Sequence, residues 1–162
     1  GWTIRNQTEV LLRHIDEYQY DLVIGSSMGG LAAANASSLR EKSDFKLLLI
    51  APAFGLSDSW ENLRDEELDS WERMGVRRYR GFDLEIDLGW DFMEDAREMS
   101  WPTIRHQTTI IHGSKDDIVP LGVSQAVSED SELVDLIVID DGHRMKRSLS
   151  YLSDVASSLV SS

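Results

Sequence analysis

The 162-residue sequence contains no cysteine. That excludes a thiol nucleophile, a disulfide framework and a thiolate metal site, and it leaves the redox compartment open. Basic residues are scarce: 16 Lys and Arg stand against 29 Asp and Glu, a formal net charge of −13. Such a surface repels nucleic acid and anionic membrane, so neither is expected as a partner. Apolar runs are only of strand length, far short of the roughly 20 residues that span a bilayer. No signal peptide is apparent and the first residue is Gly1; a cytoplasmic location is the expectation. No internal repeat or linker divides the chain, so residues 1–162 are read as one domain.

What is present centres on Val23 to Ala34. A short apolar run, Tyr20 to Ile24, reads as a buried strand. An alanine-rich segment from Met28 to about Leu39 reads as a helix. Between them stands Gly25-x-Ser27-x-Gly29, the G-x-S-x-G pattern of a nucleophile elbow. A serine on so sharp a turn is strained, and its neighbours two positions away, Gly25 and Gly29, are expected to be small for that reason. The turn would lift the Ser27 hydroxyl off the sheet and aim the Met28 backbone N–H at a developing oxyanion. A Gly/Ser turn of this kind also joins strand to helix in α/β folds without a catalytic serine. The glycines do not spell a dinucleotide loop, and the next strand ends in Ala51-Pro52 without a ribose-binding acid. No Lys-Ser/Thr follows them, which excludes a P-loop.

Along the chain, Asn6 to Tyr18 reads as a helix capped by Asn6 with Glu9, and Val10, Leu11, His14, Ile15 and Tyr18 share a face. Lys46 to Ala51 reads as a second strand, completing a βαβ unit. Residues 55–105 are acidic and irregular and read as a cap-like insertion. Within it, Ser57 to Met74 reads as one amphipathic helix, Val76 to Leu88 as a hairpin turning at Arg80-Gly81-Phe82-Asp83, and Gly89 to Met99 as a further helix. Trp60, Trp71, Trp90 and Trp101 are divided between pocket lining and core. Strands over Thr108–His112 and Leu136–Asp140, and helices over Leu121–Val127 and Lys146–Val160, complete the pattern. Alternating strand and helix predict a doubly wound parallel sheet in three αβα layers.

A serine hydroxyl needs a base, and the base needs an orienting group. In an open α/β sheet these come from the carboxyl ends of later strands. The third strand runs into His112-Gly113-Ser114-Lys115-Asp116-Asp117-Ile118-Val119-Pro120, and the fourth into Asp140-Asp141-Gly142-His143-Arg144. Serine, acid and histidine thus follow successive strand ends in α/β-hydrolase order. With the G-x-S-x-G turn, H-G-x-x-D-x-x-V-P and Gly142-His143, the chain resembles a small bacterial α/β-hydrolase of the serine esterase type. The resemblance implies Ser27 as nucleophile, His143 as general base, Asp116 as the acid that orients it and Met28 as an oxyanion-hole N–H. Asp117 competes as the acid, Asp58 is a remote third, and His112 falls at a position that usually packs structurally.

Members of that family carry further strands and a His-Gly loop before the elbow, and nothing here matches them. The chain is therefore expected to be N-terminally incomplete or reduced, with its first strand an exposed apolar edge open to homo-oligomer formation. The function expected is cleavage of a small-molecule carboxylic ester or thioester through an acyl-enzyme, with no metal or organic cofactor. An acidic cap would weakly disfavour anionic acyl groups. An acyltransferase or peroxide-using enzyme on the same triad and a non-catalytic hydrolase-like binding module are the alternatives.

Overall fold

The computed structural model describes residues 1–81 and 84–162. Its centre is a four-stranded, all-parallel sheet in the order β1-β2-β5-β6. The strands are β1 (Leu22–Ser26), β2 (Lys46–Ile50), β5 (Thr108–Gly113) and β6 (Val134–Ile139). Around them lie α1 (Ile4–Glu17), α2 (Met28–Leu39), α6 (Leu121–Glu129) and α7 (Leu149–Ser161). Between β2 and β5 the chain makes α3 (Leu56–Glu61), α4 (Asp65–Met74), an antiparallel hairpin of β3 (Val76–Gly81) and β4 (Leu84–Gly89), and α5 (Trp90–Met99). Of the expected turn Arg80-Gly81-Phe82-Asp83, Arg80 and Gly81 instead end β3, and Phe82-Asp83 lies outside the described residues.

Alternation along the strands builds three layers, because successive side chains leave opposite faces. Val23, Leu47, Leu49 and Ile110 face a core shared with α1, α2 and α6. Leu22, Leu48, Ile50 and Ile111 face the opposite core, under Leu152, Val155 and Leu159 of α7. A strand buried on both faces reads as a continuous apolar run, which is why Lys46-Leu47-Leu48-Leu49-Ile50 shows no polar alternation. Among the described residues β1 pairs only with β2. Its Ile24 is 53% exposed beside Ala156 and Val160 of α7, so the first strand is an apolar edge, as its sequence suggests.

Several boundaries differ from the sequence reading. α1 starts at Ile4, capped by Thr3, whose hydroxyl accepts the Asn6 N–H at 3.2 Å. Asn6 is therefore inside the first turn rather than the cap, and its side-chain amide donates to Gly1 O instead. The buried stripe is Ile4, Thr8, Leu12 and Ile15, and Val10, His14 and Tyr18 are exposed. The single helix expected over Ser57–Met74 is two. Arg64 adopts an extended conformation (ψ 145°) that starts α4, and the Glu67 carboxylate turns back onto its N–H at 3.3 Å. Trp71, Leu88, Phe92 and Met93 form a separate core in this excursion, joined by Trp60, Trp90 and Tyr79. Its excess of acid is met in part on the hairpin, where Arg78 pairs with Asp87 and Arg80 with Glu85.

Candidate active site

β1 ends in Ser26, and α2 begins at Met28. Ser27 makes the whole turn between them, at φ 53° and ψ −118°, a region that non-glycine residues rarely enter. Three backbone hydrogen bonds hold it there. Its N–H donates to Ile50 O at 2.9 Å, and its carbonyl accepts from Ala53 N at 3.0 Å and Leu31 N at 3.1 Å. Surroundings that over-determine a strained residue are what such strain requires.

The small residues at the elbow divide unequally. A Cβ on Gly25 would lie 2.4 Å from Gly29 O, so the strand and helix can approach only over glycine there. A Cβ on Gly30 would meet Pro52 at 3.0 Å. A Cβ on Gly29 would meet nothing within 4 Å. The expectation that Gly29 must be small to relieve the turn is therefore corrected: its α-carbon faces open space at the wall of the cavity described below, and close packing falls on Gly25 and Gly30.

The acid comes from the loop after β5. Asp116 Oδ1 accepts the N–H groups of Ile118 and Val119, both at 2.9 Å. Its side chain is fully buried. The histidine comes from the loop after β6. His143 Nδ1 lies 2.7 Å from Asp116 Oδ2, and His143 Nε2 lies 3.1 Å from Ser27 Oγ. A carboxylate oxygen only accepts, so the Nδ1 proton is assigned to His143, and Nε2 presents its lone pair to the serine hydroxyl. Ser27, His143 and Asp116, named from three separate motifs, thus form one continuous hydrogen-bonded chain. Met28 N–H stands at the first position of α2, where no intrahelical acceptor exists.

The loop that carries His143 is pinned by a residue the sequence reading passed over. Asp141 accepts from Gly142 N, Arg147 N and the Ser148 hydroxyl, each at 2.8 Å. The Ser148 hydroxyl foremost, with the two backbone N–H groups and the Arg147 charge, holds its carboxyl below the ordinary range, against the opposing pull of burial. Met145, at φ 52° and buried, anchors the same loop beneath α7. The staple delays the last helix, which starts at Leu149 rather than near Lys146.

The other candidates fall elsewhere. Asp117 is exposed and lines a depression of about 690 Å³ beside His143. Asp58 accepts from the Trp101 indole at 3.4 Å. His14 is exposed on α1. His112 is buried, with Nδ1 2.7 Å from Ser124 Oγ and Nε2 2.9 Å from Val119 O. Among the described residues no group of three His, Cys, Asp or Glu side chains is arranged to hold a metal ion. No helix among them is long and apolar enough to cross a membrane.

Ser27 and His143 stand on the wall of a cavity of about 600 Å³. Phe54, Leu56, Trp60, Leu84, Leu88 and Phe92 make it largely apolar. Of the four tryptophans of the excursion only Trp60 lines it; Trp71 is core, Trp90 packs on Trp71, and Trp101 stacks on Phe54 half exposed. No carboxylate among the described residues lines it, so the acidic excursion presents an apolar wall to the site. Trp2 and Gln7, from the start of the chain and α1, also line it and carried no signal in the sequence.

The sequence profile of an uncharacterised protein family, UPF0227, matches residues 2–159. No functionally curated protein matches the chain by sequence. Among solved structures the chain is similar to alpha/beta hydrolase domain-containing protein 10 from mouse, at 24% identity and TM-score 0.80, over 98% of this chain and 70% of that one. It is similar to Est1E from Butyrivibrio proteoclasticus, at 19% identity and TM-score 0.73, over 98% and 69%. A monoacylglycerol lipase from Paleococcus ferrophilus aligns over 98% and 76%, at 13% identity and TM-score 0.66. These likenesses establish an α/β-hydrolase fold.

Proposed function

The chain belongs to the uncharacterised protein family UPF0227, and we propose that it is a serine hydrolase that cleaves carboxylic esters or thioesters with apolar acyl groups. The observation that carries the reading is the chain from Ser27 Oγ through His143 to the buried Asp116, on the wall of an apolar cavity.

In this reading the acyl group lies among Phe54, Leu56, Leu88 and Phe92. Ser27 Oγ attacks the carbonyl carbon as its proton passes to His143 Nε2. The Met28 N–H stabilises the oxyanion, helped by the positive end of α2. Asp116 holds the imidazole in the tautomer that can accept this proton and stabilises the cation that forms. Collapse of the tetrahedral species breaks the bond to the leaving oxygen or sulfur, which takes the proton from His143. The departing group faces the second depression, whose wall His143 shares with Lys115, Asp117 and Asp140. Water, deprotonated by His143, then attacks the acyl-enzyme, and the acid leaves with Ser27 restored. A metal or organic cofactor has no step in this sequence.

The test is hydrolysis of p-nitrophenyl esters from acetate to dodecanoate, with acyl-enzyme trapped by acid quench and weighed. The reading requires turnover, a preference for acyl chains longer than acetate, and an acyl adduct on Ser27. A folded protein that turns over none of these esters and carries no adduct contradicts it. Added alcohols that divert the acyl group in place of water would instead favour the acyltransferase alternative.

A further inference from the structure

The H-G-x-x-D-x-x-V-P segment folds back on its own histidine. His112 is the next-to-last residue of β5, and four residues later Asp116 returns so that its Oδ2 lies 3.2 Å from His112 Nε2. That nitrogen also lies 2.9 Å from Val119 O. Both neighbours only accept, so Nε2 carries a proton; it is hydrogen-bonded to the Val119 carbonyl, with the carboxylate oxygen 3.2 Å from the same nitrogen. On the other side of the ring, the Ser124 hydroxyl donates to Nδ1 at 2.7 Å from the first turn of α6. Ring, carboxylate and hydroxyl are all buried. The oxygen that His112 approaches is the one that holds His143. One carboxylate oxygen thus faces a ring nitrogen of each of two histidines, hydrogen-bonded to His143 Nδ1 and 3.2 Å from His112 Nε2, whose ring is held on its other side by Ser124.

We propose that His112 is a positioning residue for the acid: its Nε2–H fixes Asp116 Oδ2 and draws off part of its charge, and so sets both the aim and the basicity of His143. This rests on the serine hydrolase reading. A packing residue would fill the same volume without touching the charge distribution. A hydrogen-bond donor removed from a charged acceptor has two effects. It loosens the acceptor, and it leaves more negative charge facing the other partner.

The test compares wild type with His112→Leu, His112→Gln and Ser124→Ala, each checked for fold by thermal melting. The rate of inactivation by a fluorophosphonate is followed from pH 5 to 9. His112→Leu is expected to slow the plateau rate roughly 10- to 100-fold. It is also expected to move the acid limb upward by about half a pH unit or more, because His143 then faces a fuller charge. His112→Gln, which can present an amide N–H to Asp116, is expected to recover most of the rate with an unshifted limb. Ser124→Ala, which leaves the ring in place, is expected to show a smaller loss and serves if His112→Leu does not fold. A folded His112→Leu whose acid limb stays at the wild-type position overturns the proposal, whatever its plateau. A second readout does not depend on activity. Proton NMR should show exchange-protected ring N–H signals from both histidines, and His112→Leu should remove one and shift that of His143. An unmoved His143 signal overturns the inference. A wild-type protein that does not react with the probe overturns the hydrolase reading, and the NMR comparison still decides whether the two histidines share Asp116.

Discussion

Gly113 and Asp141 touch backbone to backbone: a Cβ on Gly113 would lie 2.1 Å from Asp141 O. The contact joins the carboxyl ends of β5 and β6, the two strands that deliver Asp116 and His143. Lys115 N–H, donating to Asp141 O at 3.1 Å, and Ser114 N–H, donating to Ile139 O at 2.8 Å, close the same junction. Gly113→Ala must push the loops apart. It is expected to cost roughly 1–3 kcal/mol of stability and to lower probe labelling far more than stability alone explains. Melting temperature and labelling rate on the folded fraction check it; equal labelling per folded molecule contradicts it.

The elbow glycines should separate under substitution. Gly25→Ala runs into Gly29 O and is expected to unfold or inactivate the protein. Gly29→Ala meets no atom and relieves helix entropy, so its stability is expected to rise or stay within about 0.5–1 kcal/mol of wild type. Its methyl group would enter the cavity wall, so any effect should appear in substrate preference. Chemical denaturation of both variants decides the point.

Asp141 predicts a pH dependence of stability. Its folded-state carboxyl is held below the ordinary range, mainly by the Ser148 hydroxyl. The stabilisation is therefore complete above the unfolded value, near 3.9, and is lost as pH falls through the depressed folded value. Asp141→Asn replaces an acceptor of three N–H and O–H groups by an amide that must turn a donor on one of them. Its melting temperature should fall below wild type at pH 7, and the gap should shrink toward the acid end. A gap that widens with acid contradicts the assignment.

The cavity wall predicts selectivity. Leu84 is 44% exposed and lines the cavity from β4, so a charge there costs little in folding. Leu84→Glu is expected to lower kcat/KM for octanoate esters about tenfold or more through loss of apolar contact, and to leave acetate esters within about threefold. Equal losses on both would place the acyl group elsewhere.

Much of this was legible before the fold was known, and the rest fails for identifiable reasons. α2 was readable to the residue because the elbow fixes its start and an alanine-rich run its extent. The central strands were readable as short apolar runs, with ends off by one or two residues. The start of α1 was misread because Thr3 and Asn6 are both good caps at capping distance, and only packing of Ile4 into the core chooses Thr3. The break before α4 was hidden because Arg64 is an ordinary helix former held extended by its context. Asp116 was distinguishable from Asp117 by its place in the motif. The contact of His112 with Asp116 was encoded in the same four-residue spacing but needs the loop to fold back before it exists. Asp141 gave no signal, since a carboxylate at a strand end is normally a solvated one. The aromatic lining was visible as composition only; which tryptophan meets the site depends on how α3, α4 and α5 pack together.

The central claim is that Ser27 is an activated nucleophile. Intact-mass analysis after fluorophosphonate treatment tests it most directly, on wild type and on Ser27→Ala, His143→Ala, Asp116→Asn and Asp117→Asn. The account predicts one adduct per wild-type chain, located at Ser27 by peptide mapping, and none on Ser27→Ala. It predicts labelling slowed by roughly 10³-fold or more in His143→Ala and Asp116→Asn, and near-wild-type labelling of Asp117→Asn. An adduct that persists in Ser27→Ala, or a folded wild-type protein that takes none, would contradict it.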